Sequence, residues 1–316
     1  MQRQYSTSTV IAGLATGVIA VGYSAIAVRY AIEGGAGPVA VAFWRSFVGA
    51  LILAPAAARS RRKSAPLSRE RQRQIVAAGV FLGLHFALWL SSLEYTTVAS
   101  SVTLVTMSPI FVALLARRVL GETVSRRAWI GMGITIAGAL AIGLADGAAV
   151  DLGRRALFGD LLAFLGALAV AGYMVMGRSV RRDVSVSTYA SGAYGVAAAI
   201  LLPAALILDQ ALWGYQAQAW WAILAIIIGP QLLGHTIFNT LLSTVSATTV
   251  AIVVLSEPVL STLLAWLLLT ELPAPLFWVG APIVLIGVTI ASTGQRRRSA
   301  DEEPVAQLRS ESVGTP

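Results

Sequence analysis

A chain of 316 residues that is 57% hydrophobic and 12% charged, with a mean hydropathy of +0.76, is too apolar for an ordinary soluble domain and reads as a multi-span membrane protein. Its net charge of +8 does not point to nucleic acid, because the basic residues lie in short clusters between long apolar runs. Zero cysteines exclude disulfides and thiolate metal sites, and two lone histidines cannot build a zinc site unaided, so no metal and no cofactor is expected.

A span needs about 20 apolar residues to cross a hydrocarbon core of roughly 30 Å. The first qualifying run, 9 to 30, is longer than the apolar core of a cleavable signal peptide and is read as a retained span. Nine more follow over 38 to 58, 75 to 95, 97 to 116, 128 to 145, 157 to 177, 186 to 208, 219 to 242, 246 to 270 and 274 to 294. The runs are continuous rather than alternating, and lipid tolerates only helices or closed barrels. The fold class is therefore an all-α polytopic membrane protein with ten transmembrane helices. Residues 295 to 316, rich in Arg, Asp, Glu, Ser and Pro, are expected to form a disordered cytoplasmic tail.

Charge orients these spans. The side shared by both termini and the loops after even-numbered spans holds 19 of the 23 Lys and Arg: Arg3, the seven from Arg59 to Arg73, Arg117, Arg118, Arg126, Arg127, Arg178, Arg181, Arg182, Arg296, Arg297, Arg298 and Arg309. The other side has Arg29, Arg154 and Arg155, and Arg45 lies inside a span. By the positive-inside rule both termini are cytoplasmic, in a multi-pass protein of the cytoplasmic (inner) membrane. Trp213, Tyr215, Trp220 and Trp221 then sit at the outer interface as aromatic anchors.

The chain also contains its own pattern twice. Pro109 falls on Pro258 at an offset of 149, and at that offset Glu122 falls on Glu271, Trp129 on Trp278, Gly131 on Gly280 and Gly138 on Gly287. A duplication of this kind sets architecture. Each unit covers five spans, an odd number, so the second copy enters the membrane from the opposite face and the repeats, 9 to 145 and 157 to 294, are inverted. The charges agree: RRVLGETVSRR after span 4 becomes LLLTELPAPLF after span 9, with the glutamate kept and every arginine gone. Two inverted bundles enclose a site near mid-membrane, and rocking exposes it alternately to each face.

The segments MSPIFVALLARRVLGET with WIGMGITIAGALAIG, and SEPVLSTLLAWLLLTEL with WVGAPIVLIGVTIAS, resemble the EamA repeat, as does the FWR at Phe43 to Arg45. Two such repeats in ten spans resemble the drug/metabolite transporter superfamily over roughly residues 10 to 294. The resemblance implies transport of amino acids, other small metabolites or drugs, often outward; aromatic amino acid exporters are one branch.

Candidate functional residues follow from the cost of polar groups in lipid. Glu257, near the middle of span 9, must face a cavity, pair or bind a proton. It is read either as a proton carrier, as an acceptor for a substrate ammonium, or as a structural carboxylate bonded to a neighbouring helix. Arg45, about 10 Å below the outer start of span 2, either snorkels outward, pairs with Glu257 or binds a substrate carboxylate. His85 in span 3, and His235 with Asn239 in span 8, either line the cavity or tie helices together. Trp89 lies four residues after His85, so the pair could stack on an aromatic ligand or pack on another helix. Pro109 and Pro258 are expected to kink spans 4 and 9 as gating helices. Gly13 and Gly17, like Gly79 and Gly83, form small-residue faces for close packing, and Asp160 is read as a helix N-terminal charge favoured by the dipole.

The expected partners are a small-molecule substrate, protons and the lipid bilayer, with monomer and homodimer both open. The competing readings are a membrane-embedded enzyme and a non-transporting scaffold. No HExxH, GxSxG or P-loop sequence occurs, so neither intramembrane hydrolysis nor ATP-driven pumping has a motif to carry it.

Overall fold

A computed structural model describes residues 6–96, 98–146, 153–269, 272–273 and 275–312. Its helices are α1 (Thr7–Gly22), α2 (Ser24–Glu33), α3 (Pro38–Arg62), α4 (Arg69–Tyr95), α5 (Val98–Val105), α6 (Ser108–Leu120), α7 (Arg126–Asp146), α8 (Arg154–Val180), α9 (Val186–Ile207), α10 (Ala217–Ile226), a π-helical segment (Ile227–His235), α11 (Thr236–Leu241), α12 (Ala247–Val254), α13 (Glu257–Leu269) and α14 (Phe277–Ser312). No strand occurs among the described residues. Serine hydroxyls begin several helices: Ser6, Ser68, Ser185 and Ser246 each accept a hydrogen bond from the backbone N–H three residues on. Gly121, at φ 67°, ends α6 in the left-handed conformation that a side chain disfavours.

Among the described residues nine helices are long and apolar enough to cross a membrane. The helix Arg126–Asp146 occupies the further segment that the sequence assigns to span 5. The first span is Thr7–Glu33, interrupted at Tyr23, and the eighth runs α10, π segment, α11, with Pro230 inside the π turn. A proline ring cannot coexist with a regular helical bond to the preceding turn, and the widened π turn accommodates it. The final helix continues to Ser312, past the expected end of span 10 at 294 and through most of the stretch predicted to be a disordered tail. Its Arg, Ala, Glu and Gln favour a helix, and the stretch carries Asp301 and Pro304 within it as well. Thr270 and Glu271, the second copy's counterpart to Gly121 and Glu122, lie outside the described residues.

Packing relates positions 149 apart. Helices α7 and α14 run antiparallel: a Cβ added at Gly131 would stand 2.6 Å from the carbonyl oxygen of Gly287, and one at Gly138 would stand 2.9 Å from that of Gly280. Gly131 and Gly280 are repeat counterparts, as are Gly138 and Gly287, so the contact is reciprocal. The same reciprocity appears where Gly166 of α8 faces Trp89 of α4 and Gly17 of α1 faces Phe238 of α11, since the offset carries one pair onto the other. Without a hydrophobic driving force between helices in lipid, this close approach supplies attraction through dispersion, which requires small residues. Gly79 and Gly83 serve α4 against α9 in the same way.

Spans 4 and 9 are broken rather than bent. α5 ends at Val105 and α6 starts at Ser108 with Pro109 in its first turn; α12 ends at Val254 and α13 starts at Glu257 with Pro258 next. The first turn of a helix is where proline fits, because its missing N–H would have had no partner there.

At the opposite end from Ser6 and Ser68, Gln210 reaches from the loop after α9 to α3, where its Oε1 accepts from the N–H groups of Val39 at 2.9 Å and Ala40 at 3.0 Å. The aromatic anchors form a cluster there, with Trp44 4.7 Å from Trp213 and 5.6 Å from Trp220 between ring centroids. Large apolar side chains such as Leu51, Ile207, Trp221, Leu267 and Trp278 are exposed on the outside of the bundle, as a lipid-facing surface requires.

Candidate functional site

A cavity of about 80 Å³ lies where α1, α2, α4, the α5–α6 break, α8, the π segment, α11 and the α12–α13 break converge. Its wall draws on both copies of the repeat, and several of its residues are repeat counterparts: Val21 and Val170, Ser24 and Tyr173, Trp89 and Phe238, Val105 and Val254, Ser108 and Glu257.

Glu257 owes its place to the break in span 9. As the first residue of α13 it sits where unpaired backbone N–H groups favour negative charge. It is 8% exposed and lines the cavity. His85 and Trp89 come one turn apart from α4, their rings stacked at 5.6 Å and 11°. The Nδ1 of His85 lies 3.0 Å from the carbonyl oxygen of Gly166; a carbonyl only accepts, so this nitrogen carries the proton. His235 meets the ring of Phe86 edge-on at 5.4 Å and that of Tyr173 at 6.1 Å. Asn239 is held by tyrosines: its Oδ1 accepts from Tyr173 Oη at 2.8 Å, and its Nδ2 donates to Tyr194 Oη at 3.4 Å. Two polar atoms of lining residues, Ser24 Oγ and Trp89 Nε1, are buried without a hydrogen-bond partner among the described residues. Such groups are costly to leave unpaired, so the cavity is equipped to hold a polar guest.

Arg45 does not snorkel. It is 1% exposed, its Nε donates to Gln231 Oε1 at 2.8 Å, and its guanidinium carbon lies 3.9 Å from the centre of the Phe86 ring. The Gln231 amide, brought inward on the π segment, competes successfully with the distant water surface, and the ring face adds a cation–π contact. Arg45 Nη1 has no hydrogen-bond partner among the described residues. Among the described residues no ion pair joins Arg45 to Glu257.

The structure therefore gathers Glu257, His85, Trp89, His235 and Asn239 on one cavity and leaves Arg45 behind Phe86, off its wall. Pro109 and Pro258 start the two half-helices beside it. Sequence reasoning missed Tyr173, Ser24 and Gln231. The repeat offset, extended past spans 4 and 5, would have paired Ser24 with Tyr173; nothing in the sequence marks Gln231 as the partner of Arg45. A volume of about 80 Å³ is room for a few waters. Small-molecule sites are typically several hundred Å³, so a guest requires the surrounding helices to part.

Comparison with known proteins gives four findings. The profile of the EamA-like transporter family matches residues 8–144 and 157–293. An "Uncharacterized transporter" of Archaeoglobus fulgidus is 24% identical over 261 residues, covering 82% of this chain and 89% of that protein. The "Uncharacterized transporter YyaM" of Bacillus subtilis is 25% identical over 211 residues, covering 65% and 68%. Among solved structures, a crystal structure at 18% identity superposes with a TM-score of 0.77 over 92% of this chain and 99% of its own, a likeness of fold.

Proposed function

The chain belongs to the EamA-like transporter family, and from that premise we propose that this multi-pass membrane protein moves small metabolites, amino acids first among them, by alternating access. The observation that carries the reading is Glu257, a carboxylate without an ion pair among the described residues, on a cavity built from both repeats. A buried carboxylate of this kind suits either a substrate ammonium or a transported proton. The stacked pair of His85 and Trp89 beside it favours substrates with a planar or aromatic side chain. Export is the direction that the family resemblance favours.

Alternating access rests on two inverted five-span units, 9 to 145 and 157 to 294, with ten spans in all and both termini in the cytoplasm at the inner membrane. The reciprocal, antiparallel contacts of α7 with α14 support inversion, since a two-fold axis lying in the membrane plane generates this pattern. The concentration of arginines on one side supports the orientation.

Counterflow of radiolabelled amino acids in proteoliposomes, with and without a pH gradient, tests this. Uptake of at least one amino acid above empty liposomes is expected. No flux for any of them rejects the substrate class, and flux indifferent to pH rejects Glu257 as an obligatory proton carrier while leaving it as an ammonium acceptor.

A further inference from the structure

The two repeats are not in the same state at their first spans. On α8, Asp160 Oδ1 accepts hydrogen bonds from Thr96 Oγ1 at 2.8 Å and from Ser100 Oγ at 2.7 Å. These hydroxyls belong to the junction between α4 and α5 and to the first turn of α5. The approach is tight: a Cβ added at Gly159 would stand 2.8 Å from the backbone nitrogen of Thr96. In the other repeat the equivalent positions, 149 residues away, are Ile11 for Asp160, Val245 for Thr96 and Thr249 for Ser100. All three line a groove of about 940 Å³ between α1 and the α12, α13 and α14 helices. The groove starts at Thr7 and Ser246, on the side of the N-terminus, passes Val18, Val253 and Ser256, and runs on along α13 to Leu263 and along α14 to Leu285. Those residues adjoin Val21, Val254 and Glu257 of the central cavity in sequence.

Resting on the reading of the chain as an inverted-repeat transporter, we infer that Asp160 is the latch of the outer face, and that the groove is the cytoplasmic vestibule of a state closed outward. The carboxylate ties α8 to the entrance of span 4. A conformational cycle that exchanges the two repeats then opens the corresponding space beside α8 only after those two hydrogen bonds are broken, while α1 closes on α12. Ile11 and Val245 offer no such tie, so the resting population is held inward-open by one side chain. Asp160 acts as a positioning residue, remote from the substrate.

The absence of cysteine makes an accessibility test clean. Ser24→Cys puts a reporter in the cavity wall of the full chain, and a membrane-impermeant thiol reagent is applied to right-side-out and inverted vesicles. Labelling from the cytoplasmic side is expected to dominate in the parent. Asp160→Ala should raise outer labelling by about tenfold, since two hydrogen bonds to a charged acceptor bias the equilibrium by at least that much. Asp160→Asn, which keeps the acceptor oxygen without its charge, should fall between the parent and Asp160→Ala. The latch can also be transplanted: Ile11→Asp with Val245→Thr supplies the missing carboxylate and hydroxyl opposite Thr249, and should lower cytoplasmic labelling several-fold.

Outer labelling of Asp160→Ala that remains at the parent's level, in protein whose cytoplasmic labelling shows it folded, overturns the inference. Should that variant not reach the membrane, unchanged cytoplasmic labelling of the transplanted variant overturns it alone. Amino acid counterflow on the same vesicles reports separately on the substrate class, and a reporter silent from both faces in every variant would sink the transport cycle and the latch together.

Discussion

At the scale of single residues, the cost of burying charge decides what each variant does. Glu257→Gln keeps the shape of the side chain and removes its charge. Amino acid flux should fall by at least about tenfold, because a hydrogen bond to a charged group contributes about 1.5–3 kcal/mol, and any acceleration by a pH gradient should vanish in the same proteoliposome assay. Retention of a pH-dependent flux would exclude this carboxylate from coupling. Arg45→Met takes away the partner of Gln231 and should lower stability in detergent by about 1–3 kcal/mol, read as a drop in Tm. Adding Gln231→Leu should recover much of the loss, since two apolar groups leave nothing unpaired. A double variant no more stable than Arg45→Met would mean that Phe86, not Gln231, is what holds the guanidinium. The sequence made most of the site legible for the same reason: Glu, His and Asn in lipid must turn inward, and Glu257, His85, His235 and Asn239 do so. Tyr173 and Ser24 gave no such signal, because a tyrosine or serine is tolerated at many depths. For Arg45 the sequence leaves snorkelling, pairing and substrate binding open and does not offer Gln231, since a partner on a π turn of another span cannot be read from a linear chain.

At the scale of elements, close helix contacts and helix breaks were unequally visible. Prolines 109 and 258 lead us to expect kinks, and the structure has full breaks instead, each followed by a half-helix of the same length, Ser108–Leu120 and Glu257–Leu269. The π turn around Pro230 was not foreseen, because a proline in an apolar run announces a disturbance without specifying its kind. Glycines illustrate what only packing reveals. Gly138→Ala would press a methyl group against the backbone nitrogen of Val284 at 2.8 Å and should cost about 1–3 kcal/mol by forcing α7 from α14. Gly133→Ala, on the same helix with nothing within 4 Å of its added carbon, should be neutral or stabilise by up to about 1 kcal/mol. Thermal melts of the two variants in one detergent separate these outcomes, and equal melting points would mean that the α7–α14 contact contributes little.

At the scale of the whole molecule, composition and the counting of arginines were enough to predict a helical membrane bundle, and the offset of 149 relates its packing as well as its sequence. What they could not show is that the two copies differ in state, because the difference lies in which ends of equivalent helices touch. Topology has a direct check: an alkaline phosphatase fused after Arg298 should be inactive and a green fluorescent protein there should be bright if both termini lie in the cytoplasm as proposed. The reverse pattern would overturn the ten-span count. Against this background the glycine contact between α7 and α14 has a particular standing. Gly131 on Gly287 becomes, when the repeats trade conformations, Gly280 on Gly138, which is already present. An interface that is its own image under the exchange is identical before and after it, so it can be as tight as packing allows without favouring either state. Spans 5 and 10 would thus be the fulcrum of the proposed cycle, and strengthening or weakening their contact should change how long the protein survives rather than which way it faces.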